Sequence, residues 1–134
     1  MNKTVENEQT LDGTSIMYIS GPIAGNKSYL QDFKNAVSLL KEFGVENIIN
    51  PAEVTSSMPC HLINRDDFRE MAHKMLGLSQ AIYMLHGWGN SRGAVKDLEY
   101  AKENGLKIFY QDDIERMSKA MPHATRRYLR EGVI

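Results

Sequence analysis

Short apolar runs alternate along this chain with longer stretches in which apolar residues recur every three or four positions. Residues 16–20 (IMYIS), 47–49 (NII), 82–85 (IYML) and 106–110 (LKIFY) have the length and the β-branched or aromatic character of strands. Between the first two, Leu30, Phe33, Val37, Leu39 and Leu40 form one apolar stripe, which predicts a helix from about residue 28 that Gly44 closes. Asn50-Pro51 stops the second strand, because proline cannot continue a ladder. Residues 52–63 read as an irregular segment, with Pro59 excluding a continuous helix; a loop of this length is often a lid or a subunit contact.

A helix is then expected from residue 64 or 66 to 76, with Phe68, Met71, Ala72, Met75 and Leu76 inward and Gly77 closing it. Behind the third strand, Val95, Leu98 and Ala101 mark a further helix, entered through Ser91 as N-cap and left through Asn104-Gly105. A last helix starts near Asp112-Asp113, with Ile114 and Met117 inward, and Pro122 separates it from one or two more helical turns over 123–130. Strands alternating with helices predict a doubly wound, Rossmann- or flavodoxin-like α/β domain: a parallel sheet of four to five strands with helices on both faces. Residues 1–14 are polar and aperiodic and are expected to be a flexible leader, leaving 15–134 as the single domain.

Composition narrows the classes of function. The chain has 134 residues, 42% of them apolar and 25% charged, which is a globular composition with enough length for a core. A net charge of -1 offers no electrostatic footprint for nucleic acid or for an anionic membrane. No apolar run reaches the roughly 18 residues of a membrane span, and the polar start is no signal peptide, so a cytoplasmic location is expected. The one cysteine, Cys60, reads as an idle thiol, although His61 is adjacent. His61, His73, His86 and His123 lack metal-ligand spacing, and no metal or cofactor is implied.

Candidate chemistry gathers at the carboxyl ends of the strands, where open α/β sheets bind ligands. The first strand supplies Tyr18 and the turn Ser20, Gly21, Pro22, Ile23 and Gly25; the third supplies His86, Gly87, Trp88, Ser91, Arg92 and Gly93. The helix behind Ser91 attracts anions at its start, and glycines let a ligand approach the backbone. Asp97, six residues past Ser91, can face that pocket as a nucleophile, with the Tyr18 phenol as its positioning partner. The residues alone also allow Asp97 to be a solvated helix charge, Tyr18 a core aromatic and Trp88 an interface anchor.

The strings Tyr18-Ile19-Ser20-Gly21-Pro22-Ile23, Asn50-Pro51 and Ile82-Tyr83-Met84-Leu85-x-Gly-Trp-x-x-Ser91-x-Gly93-Ala94 resemble a family of small phage and bacterial proteins. That family is the uncharacterised, DUF4406-like branch of the nucleoside 2-deoxyribosyltransferase-like superfamily. The resemblance runs from about residue 16 to 110, and its most specific part is the GW-x-x-S-x-G-A string. It implies cleavage or transfer at the N-glycosidic bond of a 2'-deoxynucleoside or its 5'-monophosphate. A carboxylate would attack the anomeric carbon, forming a covalent glycosyl intermediate that water or a second base resolves.

Carried onto this sequence, the resemblance makes Asp97 the nucleophile, Tyr18 the residue that holds it, and Ser91 the ligand of a 5'-phosphate. It also implies a homo-oligomer whose neighbouring subunits complete each other's pockets, with Arg126, Arg127 and Arg130 as candidate phosphate contacts in trans. Two departures accompany it. Asp97 stands where the superfamily usually has glutamate, one methylene longer, a displacement of roughly 1 Å that can cost about two orders of magnitude in rate. The acid that protonates the leaving base has no match either: the position eight before Gln80 is Ala72, leaving Asp66, Asp67 or His61 to serve. The alternative is a nucleotide-binding protein that sequesters its ligand, keeping Ser91, Arg92 and the Gly21–Gly25 turn without needing Asp97. A third reading is an interaction module built around Trp88.

Overall fold

The computed structural model describes residues 13–131. Four parallel strands, β1 (Ile16–Ser20), β2 (Asn47–Ile49), β3 (Ala81–Met84) and β4 (Lys107–Tyr110), lie in the order β2-β1-β3-β4. Six helices surround them among the described residues: α1 (Tyr29–Glu42), α2 (Pro51–Ser56), α3 (Arg65–Gly77), α4 (Arg92–Glu103), α5 (Gln111–Ala120) and α6 (Pro122–Glu131). The doubly wound α/β class read from the pattern is the class observed.

Period-two alternation in the strands sorts the core into two layers. Met17, Ile19, Ala81, Tyr83, Leu85 and Phe109 meet Phe33, Ala36 and Leu40 of α1, Ile114 of α5 and Leu129 of α6 on one face. Tyr18, Ile82 and Met84 meet Leu76 of α3 and Ala94, Leu98 and Ala101 of α4 on the other. Every residue of β3 is buried, as a central parallel strand requires.

Two local expectations, the irregular segment after β2 and an inward Leu30, are corrected. The segment after β2 is not wholly irregular: Pro51 opens α2, where its missing N–H costs nothing, and the Asn50 side chain caps the helix by accepting from Glu53 N at 3.2 Å. Pro59 does break the helix, and a single 3-10 turn, Cys60–Leu62, follows. The sheet has four of the four to five strands expected among the described residues, and Pro122 opens α6, the helical stretch expected over 123–130. Leu30, placed in the inner stripe of α1, is 47% exposed, because it lies at the helix entrance ahead of Phe33.

Most of the predicted leader lies outside the described residues. Gly13 is tied in, its carbonyl accepting from Asn47 Nδ2 at 2.8 Å. Among the described residues, no helix is long and apolar enough to cross a membrane.

Candidate active site

The chain changes direction at the centre of the sheet. From β1 it leaves toward α1 on one face, and from β3 toward α4 on the other, which makes the carboxyl ends of these two strands the topological switch point, where open α/β sheets bind ligands. The loops flanking it touch. A Cβ on Gly21 would lie 2.7 Å from Leu85 Cβ, and one on Gly87 would lie 3.5 Å from Pro22 Cγ. Leu85 N donates to Ser20 O at 2.8 Å, carrying the ladder one residue beyond the strands. Gly21 therefore serves the packing of two loops.

α4 begins beside this switch point. Gly87, at φ +78°, turns the chain into the 3-10 turn Trp88–Asn90. Ser91 then caps α4, its Oγ accepting from Ala94 N at 3.2 Å. The first amides of the helix have no intrahelical carbonyl to bond. From the second turn Asp97 points to the sheet and is 6% exposed. Ser20 Oγ donates to its Oδ2 at 2.7 Å, and Arg69 Nη1, from α3, donates to its Oδ1 at 2.6 Å. Arg69 Nη2 also reaches Gly93 O at 3.3 Å.

Burial raises the carboxyl pKa of Asp97 above its ordinary value, outweighing the bonds from Ser20 and Arg69 and the charges of Arg69 and His73 that pull it down. The Tyr18 hydroxyl is raised far more, first by its own burial and then by the charge of Asp97. It stays protonated and lies within the field of the acid.

Tyr18, Ser20, Asp97 and Gly93 thus come together around one carboxylate, with Ser91 at the entrance of the same helix. Trp88 is half-buried against Tyr110, ring centroids 5.8 Å apart, and belongs to the core layer on that face. Pro22 is half-buried, while Ile23, Gly25 and Arg92 are exposed. His86 turns to α5: its Nδ1 pairs with Asp112 and its Nε2 with Glu115 Oε1 at 3.0 Å. Its partial burial alone would lower its pKa, but the two carboxylates raise it.

Two residues near Asp97 escaped the sequence reading. Arg69 is one, and His73, a turn further along α3 and stacked on Tyr100 at 5.3 Å, is the other. Asp66, Asp67 and His61 are exposed, and none is among the groups acting on Asp97. Arg126 donates to Glu42 O at 3.0 Å and lies over the Phe43 ring, closing the far end of α1 at the amino-terminal edge of the sheet. Among the described residues, no group of three His, Cys, Asp or Glu side chains is placed to hold a metal ion.

Together the sheet order and the buried carboxylate define a doubly wound α/β domain with an acidic site at its topological switch point. Residues 15–110 match the family model described as "Domain of unknown function (DUF4406)", and the chain belongs to that family. No curated protein and no solved structure matches it.

Proposed function

We propose that this domain breaks or transfers the N-glycosidic bond of a 2'-deoxynucleoside or 2'-deoxynucleoside 5'-monophosphate. The reading rests on Asp97: a buried carboxyl group of raised pKa at the switch point, fixed by Ser20 and Arg69 and acting through its charge on a protonated Tyr18. Catalytic acids and nucleophiles share this combination of burial and a specific charge partner with structural ion pairs.

Each carboxylate oxygen of Asp97 has one partner and keeps a lone pair. One of them attacks C1' as the base leaves with the glycosidic electron pair. Water or a second base then displaces the carboxylate, the two-step logic of retaining glycosidases. Tyr18 positions the acid, and a 5'-phosphate is assigned to Ser91 and the first amides of α4. Of the groups able to supply a proton to the departing base, His73 is the one whose charge bears on Asp97. The resemblance further suggests a homo-oligomer of phage or bacterial cytosol, to be checked by sedimentation.

One observation favours a second reading. The Arg69–Asp97 pair at 2.6 Å is what a non-catalytic, ligand-sequestering protein would use simply to hold its pocket together. Incubation with a panel of 2'-deoxynucleosides and their monophosphates, followed by chromatography of free base, separates the two. Turnover is expected from the native chain and none from Asp97→Ala, with ligand binding retained in the variant. Nucleotide binding without base release in either protein would establish the sequestering role.

A further inference from the structure

The turn that joins β3 to α4 is anchored away from the acidic site, on α5, and its anchor is His86. The backbone N–H of His86 donates to Gln111 Oε1 at 2.7 Å. Gln111 Nε2 donates in turn to Glu115 Oε2 at 2.7 Å, and Glu115 Oε1 lies 3.0 Å from His86 Nε2. These contacts close a ring that begins and ends on one residue. The other ring nitrogen, Nδ1, pairs with Asp112, in the first turn of α5. Tyr83, from β3, lies in the field of the same two acids; its own burial, and then their charges, keep its hydroxyl protonated. Arg116, a cation of α5, pairs with Asp113 instead, at 2.9 Å.

A neutral imidazole carries one N–H. It can donate to one carboxylate and must then turn a lone pair toward the other, whereas the imidazolium donates to both. An acid at each ring nitrogen is therefore the geometry of the charged form. We propose that His86 is a proton-operated latch: its imidazolium ties the turn over residues 87–91 to α5, and loss of the proton lets that turn go. The loss spreads, because Glu115 also orients the Gln111 amide that holds the His86 backbone.

The latched turn carries Trp88, packed on Tyr110, and ends at Ser91, whose side chain caps the helix that bears Asp97. The latch thereby couples the entrance of that helix to pH through a group that faces α5. It operates in the free protein and needs no substrate. Partial burial of the ring works against its charge, but the two acids outweigh it. The latch is accordingly shut below 6.5, the ordinary imidazole value, and opens as pH rises above it.

Trp88 reports the turn directly, since it is the single tryptophan of the chain and lies two residues beyond the latch. Its emission is followed in the native protein from about pH 5.5 to 8.5, a range that brackets the imidazole value. The ring proton resonances of His86 are followed in parallel by NMR. Emission is expected to move to the red with a midpoint above 6.5, as the indole leaves Tyr110 and meets water, and His86 is expected to titrate at that same midpoint. His86→Gln, which cannot change charge, should abolish the emission change. Glu115→Gln should lower the midpoint by about half a unit, the worth of one exposed ion pair. The latch is overturned by flat emission in the native protein, by a His86 titration at a different midpoint, or by an emission change that survives in His86→Gln. An unmoved midpoint in Glu115→Gln counts against it equally. Comparison of the two native midpoints decides the matter even where a variant fails to fold.

Discussion

A carboxylate with its charge in the core depends on whichever groups touch it, and for Asp97 these are Ser20 and Arg69. Replacing Arg69 by Gln leaves the acid without its cation. In a rim position this is expected to cost about 1–3 kcal/mol, the penalty for stranding a buried polar or charged group. Asp97→Asn in the same chain should recover most of that loss, since a neutral amide needs no counter-charge. Urea unfolding of the two single variants and the double variant measures this coupling, and additive losses would show that the pair does not communicate. Asp97 and Tyr18 were legible in the sequence because strand ends and helix starts in this fold have known positions. Arg69 was not, because an arginine inside a polar helix reads as solvated, and its partner lies 28 residues away across the α3–α4 seam. His86 was placed correctly at a strand end, yet its partners on α5 follow from how that helix packs, which no local spacing encodes.

Elements meet in this protein through small residues as much as through large ones. Gly21 lets the loop after β1 lie against Leu85, and an added methyl would have no room at 2.7 Å from Leu85 Cβ. Gly21→Ala is expected to cost about 1–3 kcal/mol, as overpacking of a filled site does. The matched change Gly25→Ala meets no steric obstacle but strains a backbone at φ +76°. Thermal melting of each should separate loss of space from loss of conformational freedom, because Leu85→Gly, which removes the clashing Cβ itself, would relieve the first and leave the second untouched. Strands and long helices were readable at this scale within a residue or two. The short helix α2 was not, because its start signal, Asn50 followed by Pro51, is also the stop signal of β2. The C-terminal helical turns expected over 123–130 are present as α6, which Pro122 opens.

The whole molecule carries a pH dependence through the contact between the sheet and α5. His86 is bound by Asp112 and Glu115, so its folded pKa lies above the ordinary value of 6.5. Folding stability from this contact is complete below the unfolded value and is lost as pH rises through the higher folded one. The native protein should therefore melt progressively lower as pH climbs from about 6.5, imidazole's unperturbed value. His86→Ala should flatten that slope, and an unchanged slope would move its origin elsewhere. Because the ring is more than half exposed, salt should weaken the effect. The doubly wound topology was the feature most fully legible at this scale, since right-handed crossovers leave few ways to order alternating strands and helices.

The same topology sets an order in time. β1 lies between β2 and β3. As the chain leaves the ribosome, β1 gains its first neighbour with residue 47 and waits for the second until residue 81. Tyr18 and Ser20 then stand without their acid until α4 has emerged with Asp97. The pairing of β1 with β3 thus closes the longest segment of any strand pair in the sheet. A chain that stops short of α4 accordingly holds the site's first wall and the cation Arg69 without the acid that Arg69 pairs with.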